Sequence, residues 1–264
     1  MAKRLTVEII NVGNELLDGR TVNTNLNWLC AKLTELGYIV TRATTVRDET
    51  SEIANAVKEA LARKPGWIIM SGGLGPTHDD KTLQAVAKAL GKRLRLYEDV
   101  VEKMRKRYQD LVSQGVIKDP TLTKERLKMA KLPEGSKPLE NRVGTAPGVL
   151  VEKNKVKIAC LPGVPKEMMD IFENQLKGLL EKESRGKGFL IKSIPVEGIV
   201  ESRIAPLLVE TMKKFRGVYL KSNPKGVEKV SKVVVDFIAE RKHEKRLDEA
   251  LKYFEMRLSE IAEK

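Results

Sequence analysis

The run Ser71-Gly72-Gly73-Leu74-Gly75-Pro76-Thr77-His78-Asp79-Asp80-Lys81-Thr82 joins a glycine-rich turn to adjacent carboxylates, a combination suited to a phosphorylated ligand and a hard metal ion. Gly72, Gly73 and Gly75 let the backbone approach a phosphate without Cβ interference, and the Thr77 hydroxyl can donate a hydrogen bond to it. Asp79 and Asp80 would repel a phosphate unless a divalent cation lay between them, and oxygen ligands suit Mg²⁺ or Mn²⁺. An ordinary turn in which Asp79 or Asp80 caps the next helix accounts for the same residues without a ligand. The run lacks the Gly-Lys-Ser/Thr ending of a P-loop and is not the dinucleotide fingerprint that follows a first strand. His78 offers a proton carrier, since imidazole exchanges protons near neutral pH, or is a plain surface residue. Lys81 can offset phosphate charge or point into water.

The neighbouring elements fix where these groups can act. Gly66-Trp67-Ile68-Ile69-Met70 follows a Lys64-Pro65-Gly66 breaker and suits a buried parallel strand. Leu83, Val86, Ala87 and Leu90 then mark one face of a helix over 82–90. A loop between such a strand and helix lies at the carboxyl end of an open α/β sheet, where free N–H groups favour anions.

Leu5 to Val12 is another strand candidate, and it feeds the polar loop Gly13-Asn14-Glu15-Leu16-Leu17-Asp18-Gly19-Arg20-Thr21-Val22-Asn23-Thr24-Asn25. Its donors and acceptors suit a nucleotide or pterin ring; a solvated connection is the plain alternative. Thr24 or Asn25 can cap the next helix, whose face carries Leu26, Leu29, Cys30, Leu33 and Leu36 up to Gly37. Tyr38 to Val46 predicts a third strand, and Arg47-Asp48-Glu49 leads into a helix over 51–62. Asp48 can cap that helix, or meet Asp80 across the crevice and share a cation. Val156 to Leu161 is a further strand. Pro162-Gly163-Val164-Pro165 turns it into a helix whose Met168, Met169, Ile171, Phe172 and Leu176 read as core. The Gly163 backbone and Glu167 are candidate nucleoside contacts.

Gly13 to Gly19, Asn23-Thr24-Asn25, Val46-Arg47-Asp48 and Gly72 to Thr82 resemble the amino-terminal part of CinA-type (competence/damage-inducible) proteins, of the molybdopterin-binding, MogA/MoeA-like fold superfamily. Arg142-Val143-Gly144-Thr145-Ala146-Pro147-Gly148 and Leu161-Pro162-Gly163-Val164-Pro165-Lys166-Glu167-Met168 match that family's later loops. Ile194 through Lys225 and on to His243 is similar to the smaller αβ domain that follows them. The resemblance implies an α/β, three-layer MogA/MoeA-like domain over 1–182 and a second, smaller α+β domain over 189–264. It implies a divalent-metal-dependent nucleotide pyrophosphatase acting on ADP-ribose or a similar dinucleotide-type pyrophosphate. Binding or adenylylation of molybdopterin is the alternative, and the Pro76-Thr77-His78-Asp79-Asp80 version of the loop favours the CinA branch.

On that reading Asp48 and Asp80 hold Mg²⁺, Mn²⁺ or Co²⁺, and Asp79 and Asp80 serve catalysis, Asp79 as a second ligand or a base orienting water. Gly13, Asn14, Glu15, Asn25, Gly72, Gly73, Gly75, Thr77, Gly163 and Glu167 contact phosphate or nucleotide. CinA proteins often carry a further domain that deamidates nicotinamide mononucleotide; the chain ends at Lys264 without it, and that activity is not expected. Relatives commonly self-associate, so a homo-oligomer is expected.

With 264 residues, the chain is long enough for one sizeable and one smaller core, joined at Glu183-Ser184-Arg185-Gly186-Lys187-Gly188. Beyond that linker, a strand over 189–196, a helix near 202–215, strands near 218–221 and 230–239, and a helix from His243 are expected. No apolar run reaches the roughly 18 residues of a membrane helix and no signal peptide opens the chain, so a cytoplasmic protein is expected. Cys30 and Cys160 fall in apolar settings and are expected as free thiols. The net charge of +13 raises a nucleic-acid-binding alternative, with clusters at Lys103 to Arg107 and Arg241 to Arg246. Those clusters alternate with apolar or acidic residues, and 5% aromatic residues leave little for base stacking, so nucleic acid is not the expected main partner.

Overall fold

The computed structural model describes residues 5–185, 187–224 and 232–262. Two compact units divide the chain: one runs to Leu33 and resumes over Tyr38–Glu183, and the other holds Thr34–Gly37 and Ser184–Lys264.

The first unit opens with β1 (Thr6–Val12), the one-turn α1 (Asn14–Leu17), α2 (Thr24–Glu35), β2 (Ile39–Val46), α3 (Thr50–Arg63), β3 (Trp67–Ser71) and α4 (Thr82–Leu90). An excursion follows through β4 (Leu94–Leu96), α5 (Glu98–Ser113), α6 (Lys124–Lys128) and β5 (Lys131–Pro133), where β4 and β5 form a two-stranded antiparallel ribbon. The chain rejoins the main sheet with β6 (Lys137–Leu139), β7 (Gly148–Lys153) and β8 (Val156–Leu161), and ends in α7 (Pro165–Ile171) and α8 (Lys177–Ser184) around a π-helical turn, Phe172–Leu176.

The main sheet has the order β2-β1-β3-β8-β7-β6. β2, β1, β3 and β8 run parallel, and β7 and β6 continue antiparallel. The parallel strands are apolar on both faces because helices cover both. On one face Ile10, Val12, Ile68, Met70, Ile158 and Cys160 pack with residues of α3, α4 and α5. The alternate residues Val7, Ile9, Trp67, Ile69, Ala159 and Leu161 point the other way and are equally buried. On that side the Trp67 Nε1–H donates to Glu183 at 3.0 Å, the Tyr38 hydroxyl donates to the Leu180 carbonyl, and Trp28 meets Phe172 edge-to-face. The unit is therefore the expected three-layer α/β fold, and its order reverses direction at β1, between β2 and β3. At such a switch point the loops after neighbouring strands diverge and leave a crevice.

In the second unit β9 (Phe189–Glu197), β10 (Val218–Pro224) and β11 (Lys232–Glu240) form an antiparallel sheet in the order β10-β11-β9. α9 (Glu201–Lys214) and α10 (Glu244–Ala262) supply Ile204, Leu207, Leu247 and Phe254 to its core. The strand expected from Val230 is described from Lys232; Val230, Lys225 and the linker's Gly186 lie outside the described residues. No helix among the described residues is long and apolar enough to cross a membrane. Cys30 and Cys160 are free thiols, and burial pushes Cys160 up to about 12.

Candidate functional site

The four parallel strands all end on one cleft of about 380 Å³. β1 delivers Val12 and Glu15, β2 delivers Asp48, β3 delivers the loop from Gly72 to Asp80, and β8 delivers Gly163 and Glu167. Thr145 and Ala146, from the loop before β7, also line it.

The glycine loop is held tightly from below. Gly72 N–H donates to the Leu161 carbonyl at 3.0 Å, and the buried Thr82 returns to the loop with its hydroxyl on the Gly72 carbonyl at 2.8 Å and its N–H on the Gly73 carbonyl at 3.1 Å. Gly72 has φ 106°, and a Cβ there would run into the Val12 carbonyl, so the position requires glycine. At Gly75 a Cβ would stand 2.6 Å from the Asp80 carboxylate. The loop turns back on itself: Asp80 accepts from the Thr77 N–H at 2.9 Å and from its hydroxyl at 2.6 Å. The same hydroxyl contacts Asp79, and its one proton serves only one carboxylate at a time. Lys128, at the end of α6, donates its ammonium to the carbonyls of Thr77 and Asp80.

Asp48 is tied to the first loop in both directions. Its carboxylate accepts the Asn14 N–H at 2.8 Å, and its own N–H reaches the Asn14 side-chain oxygen at 3.3 Å. Burial holds the Asp48 carboxyl above the usual carboxylate range, the Asn14 hydrogen bond opposes that, and the charges of Glu15, Asp79 and Asp80 add to it. Asp79 is lowered, first by the Thr77 hydroxyl. Carboxylates gathered in a cleft, three of which raise Asp48, carry negative potential that a cation would relieve. Among the described residues, however, no group of three or more His, Cys, Asp or Glu side chains is preformed to hold a metal ion.

The sequence-derived candidates mostly meet here. Glu15, Asp48, Gly72, Gly73, Gly75, Thr77, Asp79, Asp80, Gly163 and Glu167 line the cleft. Asn25 lines an adjoining pocket; its side-chain N–H donates to the Gly163 carbonyl at 2.8 Å, and its side-chain oxygen is buried without a partner. Gly13 lies beneath, its N–H on the Val46 carbonyl, and the Glu15 carboxylate fills the space where a Cβ would be. Asn14 contributes through Asp48. His78 is exposed and outside the cleft lining, and Lys81 pairs with Glu49 at 3.4 Å. α2 stops at Gly37 as expected, with φ 84°, but none of the expected side-chain N-caps forms. Asp79 and Asp80 precede α4 without capping it, Asp48 turns to Asn14 instead of α3, and Asn23 rather than Thr24 or Asn25 accepts the Leu26 N–H of α2. Thr77 within the loop takes up Asp79 and Asp80, the distant Asn14 takes up Asp48, and a one-residue shift moves the α2 cap to Asn23.

Two residues matter here that the sequence did not single out. Asn141 accepts the N–H groups of Val143 and Gly144 and donates to Glu167 at 2.7 Å, fixing the loop before β7 that lines the cleft; it stands directly before the Arg142 to Gly148 stretch, which is the available signal. Lys128 is 48 residues from Asp80 along the chain and has no local signal at all.

Residues 8–182 match the family model of the probable molybdopterin binding domain. Protein PH0439 of Pyrococcus horikoshii is 46% identical over 228 residues, 86% of this chain and 88% of that protein. Protein TK1472 of Thermococcus kodakarensis is 45% identical over 250 residues, 95% and 96% of the two chains. The crystal structure of the protein CinA with unknown function from Thermoplasma acidophilum superposes with a TM-score of 0.61 at 41% identity, over 67% of this chain and 99% of that one.

Proposed function

Since this chain belongs to the molybdopterin-binding domain family, as a CinA-type amino-terminal region, we propose that its cleft binds a nucleotide-type pyrophosphate and hydrolyses it with a divalent cation. ADP-ribose is the substrate to test first. The observation that carries this reading is the meeting of a glycine loop with Glu15, Asp48, Asp79 and Asp80 at the ends of three parallel strands in one cleft.

The donor set fits a hard cation. Mg²⁺ commonly takes one or two carboxylates and completes its shell with water and substrate phosphate, so Asp48 and Asp80 suffice without a preformed cage. A cation so held supplies charge neutralisation on the phosphoryl oxygens. The chain's own residues do the rest. The Gly72 and Thr77 N–H groups are committed to Leu161 and Asp80, so the N–H groups of Gly73, Leu74 and Gly75 serve the phosphate, and Lys128 keeps the Thr77 and Asp80 carbonyls turned away from it. Asp79, held anionic by the Thr77 hydroxyl, orients a water for attack on phosphorus. Water adds to one phosphorus, the bridging oxygen leaves with the other phosphate, and AMP and ribose 5-phosphate result. Asn25 and the Gly163 backbone bound the neighbouring pocket, where the nucleoside would lie.

A second reading, binding or adenylyl transfer to a pterin without hydrolysis, is favoured by the family's description as a probable molybdopterin binding domain. Release of AMP from ADP-ribose with Mg²⁺, Mn²⁺, Co²⁺ or EDTA, for the wild type and Asp80→Asn, separates the two. Metal-dependent release lost in Asp80→Asn supports hydrolysis. No release with any metal, together with saturable molybdopterin binding, overturns it in favour of the second reading.

A further inference from the structure

We propose that a second cleft, at the opposite edge of the main sheet, binds a small phosphorylated anion. This cleft of about 660 Å³ lies at the amino ends of the parallel strands, where β1, β3 and β8 begin, and is in the size range of a metabolite site. Arg42, Arg63, Lys64 and Lys155 line it against a single carboxylate, Glu8.

Glu8 is 3% exposed, an unusual place for a carboxylate, and it is satisfied by one partner: Arg63 Nε and Nη2 each donate to it at 2.8 Å. That fork fixes the plane of the Arg63 guanidinium at the cleft and leaves Nη1 at 3.9 Å from the exposed Glu59. Arg42, Lys64 and Lys155 are exposed and pair with no carboxylate among the described residues. The cleft thus keeps an excess of three positive charges inside a concave wall, which focuses potential on an anion.

The two lysines also occupy backbone positions that suit other residues. Lys64 is the left-handed C-cap of α3, with φ 55°, where glycine is usual. Asn154 and Lys155, with φ 51° and 68°, make the two-residue turn between β7 and β8, where Asn-Gly fits best. Two lysines in glycine-type positions on the wall of one cleft indicate that the charge there outweighs backbone comfort.

Those positions make the test clean, because glycine at either one relieves the backbone. Sodium triphosphate is titrated by calorimetry in EDTA, which silences any cation-dependent binding at the carboxylate-lined cleft. The proteins are the wild type, Lys64→Gly/Lys155→Gly and Asp80→Asn. The expected result is one triphosphate per chain, weakened at least about tenfold in the double variant and unchanged in Asp80→Asn, with the Tm of the double variant equal to or above wild type. Equal affinity in the double variant, or no saturable binding by the wild type, overturns the proposal. So does binding of duplex DNA without saturable binding of triphosphate, which would assign the charge to an extended phosphate backbone.

Discussion

Asp48 is a carboxylate whose fold works against its charge. Burial raises it, neighbouring carboxylates raise it further, and one backbone hydrogen bond from Asn14 holds it back. The ionised form is therefore disfavoured in the folded state. That penalty is absent below the ordinary carboxylate range and grows as pH rises through the raised value. Asp48→Asn removes the penalty and keeps an oxygen for the Asn14 N–H. Without divalent ions, its Tm near neutral pH is expected to match wild type or exceed it by about 1–3 °C. The same variant is expected to lose cation-dependent turnover by roughly a hundredfold or more, measured as AMP release. Full turnover with a lower Tm would make Asp48 a structural residue. For the wild type, Mg²⁺ or Mn²⁺ is expected to raise Tm more near neutral pH than in mild acid, because a cation favours the ionised form. A pH-independent shift in a thermal melt would contradict that.

The glycine loop works as an element because contacts from behind, not its own composition, hold its shape. Gly72→Ala sets a methyl group against the Val12 carbonyl at a left-handed φ, and a loss of about 3 kcal/mol is expected, or about 6–12 °C in Tm. Gly178→Ala in α8 meets nothing within 4 Å and is expected to add about 0.5–1 kcal/mol, so the pair separates loop packing from helix propensity in one melting experiment. Lys128→Met is expected to free the Thr77 and Asp80 carbonyls and raise the KM for ADP-ribose more than it lowers kcat; equal melting and unchanged kinetics would show the staple idle. The sequence reveals these elements where the chemistry is local. The apolar run Trp67-Ile68-Ile69-Met70 announces a buried strand, and Leu83, Val86, Ala87 and Leu90 announce α4. It reveals the meeting of Asp48 with the glycine loop only through strand-end logic. It is silent on Lys128 and on the diversion of Asp48 from α3 to Asn14, since each depends on a partner far along the chain, and it does not show the π-helical turn at Phe172–Leu176 inside an otherwise continuous helical pattern.

At the scale of the whole molecule, the two units have separate cores, one built on a mixed six-stranded sheet and one on an antiparallel three-stranded sheet. Calorimetric unfolding is therefore expected to depart from two-state behaviour, with a van't Hoff enthalpy below the calorimetric one; equality would mean a single cooperative block. The net charge of +13 is expected to give DNA binding at low salt that collapses by moderate salt in a filter-binding assay. The same excess of charge also bears on how copies of the chain avoid one another. β2 lies at the end of the main sheet, and its outer edge pairs with no strand among the described residues. Its sequence, Ile39-Val40-Thr41-Arg42-Ala43-Thr44-Thr45-Val46, is β-branched almost throughout and carries one charge, at Arg42. Such an edge is a template for pairing with a neighbour, and a single central cation is the usual guard against it. Arg42 thus stands where a gatekeeper against fibrillar or edge-to-edge aggregation is expected, a solubility role separate from its place in the cleft beside it.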